Sequence, residues 1–149
     1  MGTHVHNTIF FDLGLTLVGA DSTQWNEGAQ ALLAQLRAAN IRLGVISNTG
    51  DLTRDQLTNR LPDTFDWNVF EATLILLSSE IGIRKPKIGI FQLAVERAGV
   101  PATQCLYCSD DLLETLAAQR VGMNAARLTP PPATELVTFL ETLDGLAAT

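Results

Sequence analysis

The sequence predicts an α/β fold: a doubly wound, three-layer arrangement in which a mainly parallel five-stranded sheet carries helices on both faces. Three observations predict it. Short apolar runs alternate with segments of helical period along the chain, with no long linker and no repeat. The run at residues 41–47 is apolar almost throughout, the pattern of a strand covered on both faces. Polar and acidic residues collect where the apolar runs stop, which is where open parallel sheets bind ligands.

Each element has its own signal. Residues 8–12 form the first strand, an Ile- and Phe-rich run that ends in Asp12. A helix is expected over residues 23–39, capped by Asp21 or Ser22, because Ala29, Leu32, Leu33 and Leu36 share one face. Residues 41–47 follow as the second strand. A short helix is expected over residues 52–60, capped by Asp51 or Thr49 and stopped before Pro62. Residues 73–77 make the third strand. Residues 87–98 make a helix with Ile88, Phe91 and Val95 inward and Gly99 at its C-terminal cap. The fourth strand is expected at residues 104–108, the next helix at 112–120 and the fifth strand at 124–128. Pro130, Pro131 and Pro132 block continuation, and residues 133–146 read as a closing helix. Right-handed crossovers follow from the alternation, but the strand order does not.

A chain of 149 residues is expected to be one domain, residues 1–149. A core of that size buries roughly 68–70% of the unfolded surface. The formal net charge of −6 argues against a non-specific grip on nucleic acid or anionic membrane. No apolar run approaches the ~20 residues of a membrane span. The segment Met1-Gly2-Thr3-His4-Val5-His6 lacks the order of a signal peptide, so a cytoplasmic protein is expected. His4 and His6 have no third ligand in view and read as terminal surface residues. Cys105 and Cys108 fall three apart on a strand, which points them to opposite faces as buried thiols rather than a redox pair. Trp25 and Trp67 read as partly buried packing residues.

The strand ends carry the chemistry. The first stops in Asp12-Leu13-Gly14-Leu15-Thr16 and the second in Ser47-Asn48-Thr49. Lys85, in Arg84-Lys85-Pro86, opens the helix after the third strand, and the fourth strand stops in Ser109-Asp110-Asp111 with Glu114 beyond. These segments, in this order, resemble the motifs of the haloacid dehalogenase-like superfamily. Its first motif is Asp-x-Asp-x-Thr after a hydrophobic strand, and its second is a hydroxyl residue such as Ser47. Its third is a Lys, here within Gly82-Ile83-Arg84-Lys85-Pro86, and its fourth is an acidic group, here Asp110, Asp111 and Glu114.

The resemblance implies a Rossmann-like core and an aspartyl-phosphate chemistry with Asp12 as nucleophile. It implies Mg²⁺ held by Asp12, the Gly14 carbonyl and Asp110. Ser47, Asn48 and Lys85 would bind the phosphoryl group, with Ser47 and Lys85 also catalytic. Asp111 and Glu114 are further acidic candidates. No cap domain is expected, because ten residues separate Thr16 from Glu27 and a helix and a strand fill residues 48–85. An open site suggests a phosphorylated small molecule or a macromolecule as substrate, or a homo-oligomer that covers the site. Val18, Trp25 and the 16–23 loop would lie at its mouth.

One position departs from the pattern. Gly14 stands where the family has the second Asp, its general acid/base. Three readings follow: a slow or specialised phosphohydrolase or phosphotransferase, a catalytically impaired binding or regulatory module, and a metal-independent dehalogenase-like hydrolase. The last fits least, because those relatives shield the site with a cap.

Overall fold

The computed structural model describes residues 6–128. The expected closing helix at residues 133–146, the Pro130–Pro132 run and His4 lie outside the described residues.

Five parallel strands form one sheet in the order β3-β2-β1-β4-β5. They are β1 (Thr8–Phe11), β2 (Arg42–Ser47), β3 (Ile75–Leu77), β4 (Cys105–Ser109) and β5 (Asn124–Arg127). The chain starts in the middle, moves outward through β2 and β3, then crosses back to pair β4 with the other side of β1. The strand order therefore reverses between β1 and β4, and the carboxyl end of β1 opens into that crevice. Every residue of β1 is buried, as expected for a central strand covered on both faces.

Two apolar layers hold the sheet. One face packs Ile9, Phe11, Leu43 and Val45 under α1 (Ala29–Ala38) and the Phe65–Phe70 cluster. The other packs Phe10, Ile46, Leu76 and Tyr107 under α4 (Ile88–Ala98) and α5 (Leu112–Arg120). Cys108 falls in the first layer and Cys105 in the second, so the two free thiols do point apart. Gly44 is required by close approach: a Cβ there would meet the Phe10 ring at 2.6 Å and the Leu74 carbonyl at 2.7 Å. Among the described residues no separate cap domain interrupts the sheet and its connections, and no helix is long and apolar enough to cross a membrane.

Several local expectations are corrected. The helix expected from residue 23 starts at Ala29, because Gly28 holds a left-handed φ of 85° ahead of it. Residues before that form a loop instead. The Asn26 amide donates to the Thr16 carbonyl at 2.8 Å and the Val18 carbonyl at 3.2 Å, and Val18 bridges Trp25. Val18 and Thr16 are consequently fully buried rather than at a mouth. Helix α2 spans only Arg54–Thr58 and is capped by neither Asp51 nor Thr49; Thr53 and Gln56 form a capping box there. A single helical turn, α3 (Ser78–Ile81), follows β3 directly. On α4 the inward residues are Ile90, Phe91 and Ala94, while Ile88 is 38% exposed.

Candidate active site

Asp12 is the first residue past β1. Its backbone N–H donates to the Cys108 carbonyl at 3.0 Å, which ties the turn to β4. Its Oδ1 accepts from the Leu13 N–H at 2.8 Å and lies 3.0 Å from Lys85 Nζ. Lys85 is only 2% exposed, an uncommon place for an ammonium unless its donors are matched. They are matched: besides Asp12, Nζ sits 2.8 Å from Glu114 Oε1 and donates to the Tyr107 hydroxyl at 2.9 Å.

The rest of the network converges on Glu114. Its Oε1 accepts from Tyr107 Oη at 2.6 Å and from Ser109 Oγ at 3.1 Å, as well as facing Lys85. Tyr107 is fully buried, and burial pushes its phenol well above the usual range, so it stays a protonated donor. Asp111 caps α5 by accepting from the Glu114 N–H at 3.1 Å. That leaves Asp110, half-buried at the end of β4 with its carbonyl held by Arg127 Nε at 3.0 Å, as the acidic residue of this turn whose carboxylate makes no side-chain contact in this network.

The lysine is also fixed from behind. The Lys85 N–H donates to Asn48 Oδ1 at 2.7 Å, and Asn48 Nδ2 donates to the Lys85 carbonyl at 3.0 Å. Asn48, expected to hold a phosphoryl oxygen, thus has both ends of its amide engaged in bracing the Lys85 backbone. Ser47 ends β2 beside the β1 turn and is 6% exposed. Thr49 ties the next residues to α3, donating its hydroxyl to Ser79 Oγ at 2.7 Å. The structure therefore sets Lys85 in contact with both Asp12 and Glu114 and puts Ser47 and Asp110 at the flanking strand ends. Tyr107 is the member that sequence reasoning missed. A lone tyrosine inside an otherwise apolar strand was the available signal, because a buried phenol needs a partner.

Burial raises the Asp12 carboxyl from 3.8 to about 6; Lys85 offsets part of that, and Glu114 adds to it. Burial also raises Asp110. These two under-compensated carboxylates and the Gly14 carbonyl are hard oxygen donors, the set that suits Mg²⁺. Among the described residues no three acidic, His or Cys side chains cluster tightly enough to hold an ion unaided. Mg²⁺ does not demand that, since it takes one or two carboxylates and keeps several waters. The residues fit the ion on these grounds.

The sign of the Asp12 shift gives a test. A carboxyl raised in the folded state stabilises folding fully below the unfolded value of 3.8, and that contribution is lost as pH rises through about 6. In metal-free solution Asp12→Asn is therefore expected to unfold at a higher temperature than the native protein at pH 7. The gap should close as pH falls across this window. A native protein that is the more stable of the two at pH 7 would show that Lys85 outweighs burial.

A family model described as haloacid dehalogenase-like hydrolase matches residues 4–122. A phosphoglycolate phosphatase of Xanthomonas campestris pv. campestris is 31% identical over 97 residues, which are 65% of this chain and 42% of the relative. The chain thus matches less than half the length of that relative. Among solved structures, an uncharacterized protein from Corynebacterium glutamicum superposes with a TM-score of 0.65 at 22% identity, over 93% of this chain and 95% of the other. A family enzyme of Bacteroides thetaiotaomicron, solved as a mutant with magnesium and inorganic phosphate, superposes with a TM-score of 0.56 at 24% identity. That match covers 66% of this chain and 50% of the enzyme. Likeness at such identities speaks to the fold.

Proposed function

The chain belongs to the haloacid dehalogenase-like hydrolases, and we propose that it is a Mg²⁺-dependent phosphohydrolase or phosphotransferase acting through a phosphoryl group on Asp12. The observation that carries this reading is the Asp12–Lys85 contact of 3.0 Å at the β1 switch point, with Lys85 buried and held by Glu114 and Tyr107. A buried carboxylate paired to a fixed ammonium on a strand end is a nucleophile and an anion site in one place.

In this reading the Asp12 oxygen that does not face Lys85 attacks phosphorus. An O–P bond forms to Asp12, the bond to the leaving oxygen breaks, and the electron pair departs with that oxygen. Lys85 orients Asp12 and balances the transferring group. Ser47 donates its hydroxyl to a phosphoryl oxygen, while Asn48 and Tyr107 hold Lys85 in place. Asp12, Asp110 and the Gly14 carbonyl would hold Mg²⁺, which when bound supplies charge neutralisation for the incoming phosphate. Water then attacks the phosphoryl group and frees Asp12. The phosphatase relative and the magnesium–phosphate complex of the Bacteroides enzyme support the substrate class, a phosphorylated small molecule.

Gly14 has no side chain to protonate the leaving oxygen or to activate that water. The second step is therefore the slow one, and the phosphoryl-enzyme should accumulate. Rapid-quench assays with an aryl phosphate are expected to show a burst of one equivalent followed by slow turnover. A progress curve that is linear from the first turnover at high enzyme concentration would refute this. A second reading, a binding module that has lost turnover, rests on the same Gly14; it predicts no burst.

A further inference from the structure

We propose that Tyr107 is a positioning residue for anion capture: its hydroxyl holds the third N–H of Lys85 and releases it to a phosphoryl oxygen when phosphate binds. This inference rests on the phosphatase reading above and deepens it, by naming the group that sets how tightly the site grips phosphate.

A lysine ammonium has three N–H donors and no acceptor. Lys85 meets three acceptors: Asp12 Oδ1 at 3.0 Å, Glu114 Oε1 at 2.8 Å and Tyr107 Oη at 2.9 Å. Its donors are fully committed, and the residue is only 2% exposed. A phosphoryl oxygen can accept from Lys85 only if one of these partners lets go.

Tyr107 is the partner that gives way. Asp12 and Glu114 add the attraction of opposite charge to their hydrogen bonds, which a neutral phenol cannot do. Releasing Lys85 costs Tyr107 little else, because its own proton stays on Glu114 Oε1, 2.6 Å away. A phosphoryl oxygen carries charge, so the exchange replaces the weakest acceptor with a stronger one. The ring does not make the exchange by moving. It is fully buried and packs edge-on against Phe91, with centroids 5.0 Å apart. The ammonium, at the end of a flexible four-carbon stem, makes the shift.

The exchange works against binding. The native protein breaks the Lys85–Tyr107 bond as phosphate gains the donor. Tyr107→Phe has no such bond to break, and its unpaired N–H is satisfied by the ligand. Removing this hydroxyl should therefore tighten phosphate binding, the reverse of what losing a merely structural contact would do.

Tyr107 is the one tyrosine of the chain, so protein made with tyrosine ¹³C-labelled at Cζ gives a single resonance that reports on this hydroxyl. Inorganic phosphate is titrated with Mg²⁺ into the labelled full chain. It is titrated calorimetrically into the native protein and into Tyr107→Phe, which keeps the ring that packs on Phe91. The resonance is expected to shift in step with calorimetric saturation. Tyr107→Phe is expected to bind phosphate about tenfold more tightly, the low end of what one hydrogen bond to a charged group is worth. A resonance that stays put while calorimetry shows phosphate bound overturns the exchange and leaves the phosphatase reading intact. Equal or weaker binding by a folded Tyr107→Phe overturns it as well. The label needs no variant, so if Tyr107→Phe does not fold, the resonance decides alone. A shift with tighter binding, but without the burst described above, would refute the phosphatase reading and leave the exchange standing. Absence of phosphate binding by both proteins overturns both.

Discussion

Replacing Gly14 by Asp is expected to raise the rate of phosphomonoester hydrolysis by ~10²–10⁴, the usual worth of one positioned general acid or base. The fold leaves room for it. Gly14 is exposed, its φ lies outside the left-handed region, and a Cβ built there has no heavy atom within 4 Å. Neither backbone conformation nor close packing therefore requires a glycine at this position. The gain should be larger for alkyl than for aryl phosphates, because a poor leaving group depends more on protonation. The burst should shrink as the second step accelerates. Steady-state assays of both substrate types, beside a melting curve, check this. A Gly14→Asp protein that melts normally and gains nothing would mean that position 14 does not face the reacting group.

Lys85→Met is expected to destabilise the fold by about 3–5 kcal/mol, the cost of removing one partner from a buried ion pair. Methionine keeps most of the length but leaves the Asp12 and Glu114 carboxylates facing each other without the cation that now sits 3.0 and 2.8 Å from them. Tyr107 also loses the donor that reaches its hydroxyl at 2.9 Å. Urea unfolding should show the deficit greatest at neutral pH and smaller in acid, where the carboxyls protonate and the repulsion disappears. Adding Asp12→Asn should recover part of the loss, since the two positions share one network. A Lys85→Met protein as stable as the native one at pH 7 would mean that the ammonium contributes no more than a solvated surface lysine.

The strands β1 to β4 were legible because each is a short, mainly apolar run, the way a strand buried on both faces must be written, whereas the edge strand β5, Asn-Ala-Ala-Arg and partly exposed, was legible only from the alternation of elements. The strand order was not, because parallel pairing joins segments far apart in sequence, such as Phe11 with Cys108. The start of the first helix is not legible at residue 23, because Asp21 and Ser22 look like N-caps although residues 23–28, Thr-Gln-Trp-Asn-Glu-Gly, lack the Ala and Leu of the helix itself. The left-handed Gly28 and the Asn26 side chain, bonded to two carbonyls of the preceding turn, decide for a loop. In the site, Asp12, Ser47 and Asp110 announced themselves as polar residues where apolar runs stop, and Lys85 by its place in Arg84-Lys85-Pro86 ahead of a helix. Asn48 and Tyr107 did not reveal their partners. An amide that braces a backbone looks the same in sequence as one that greets a ligand, and a tyrosine within a strand looks like packing until its hydroxyl is seen between Lys85 and Glu114. Ile88 fitted a helical apolar face yet stands at the first turn, beyond the layer it would have joined.

The central claim is that Asp12 is a live nucleophile that depends on Mg²⁺. Phosphate release from an aryl phosphate, measured with and without Mg²⁺ for the native protein and for Asp12→Asn, tests it most directly. Mg²⁺-dependent release by the native protein that vanishes in the variant is the expected result. Equal, background-level release from both would contradict the claim and assign the Asp12–Lys85 network to binding rather than turnover.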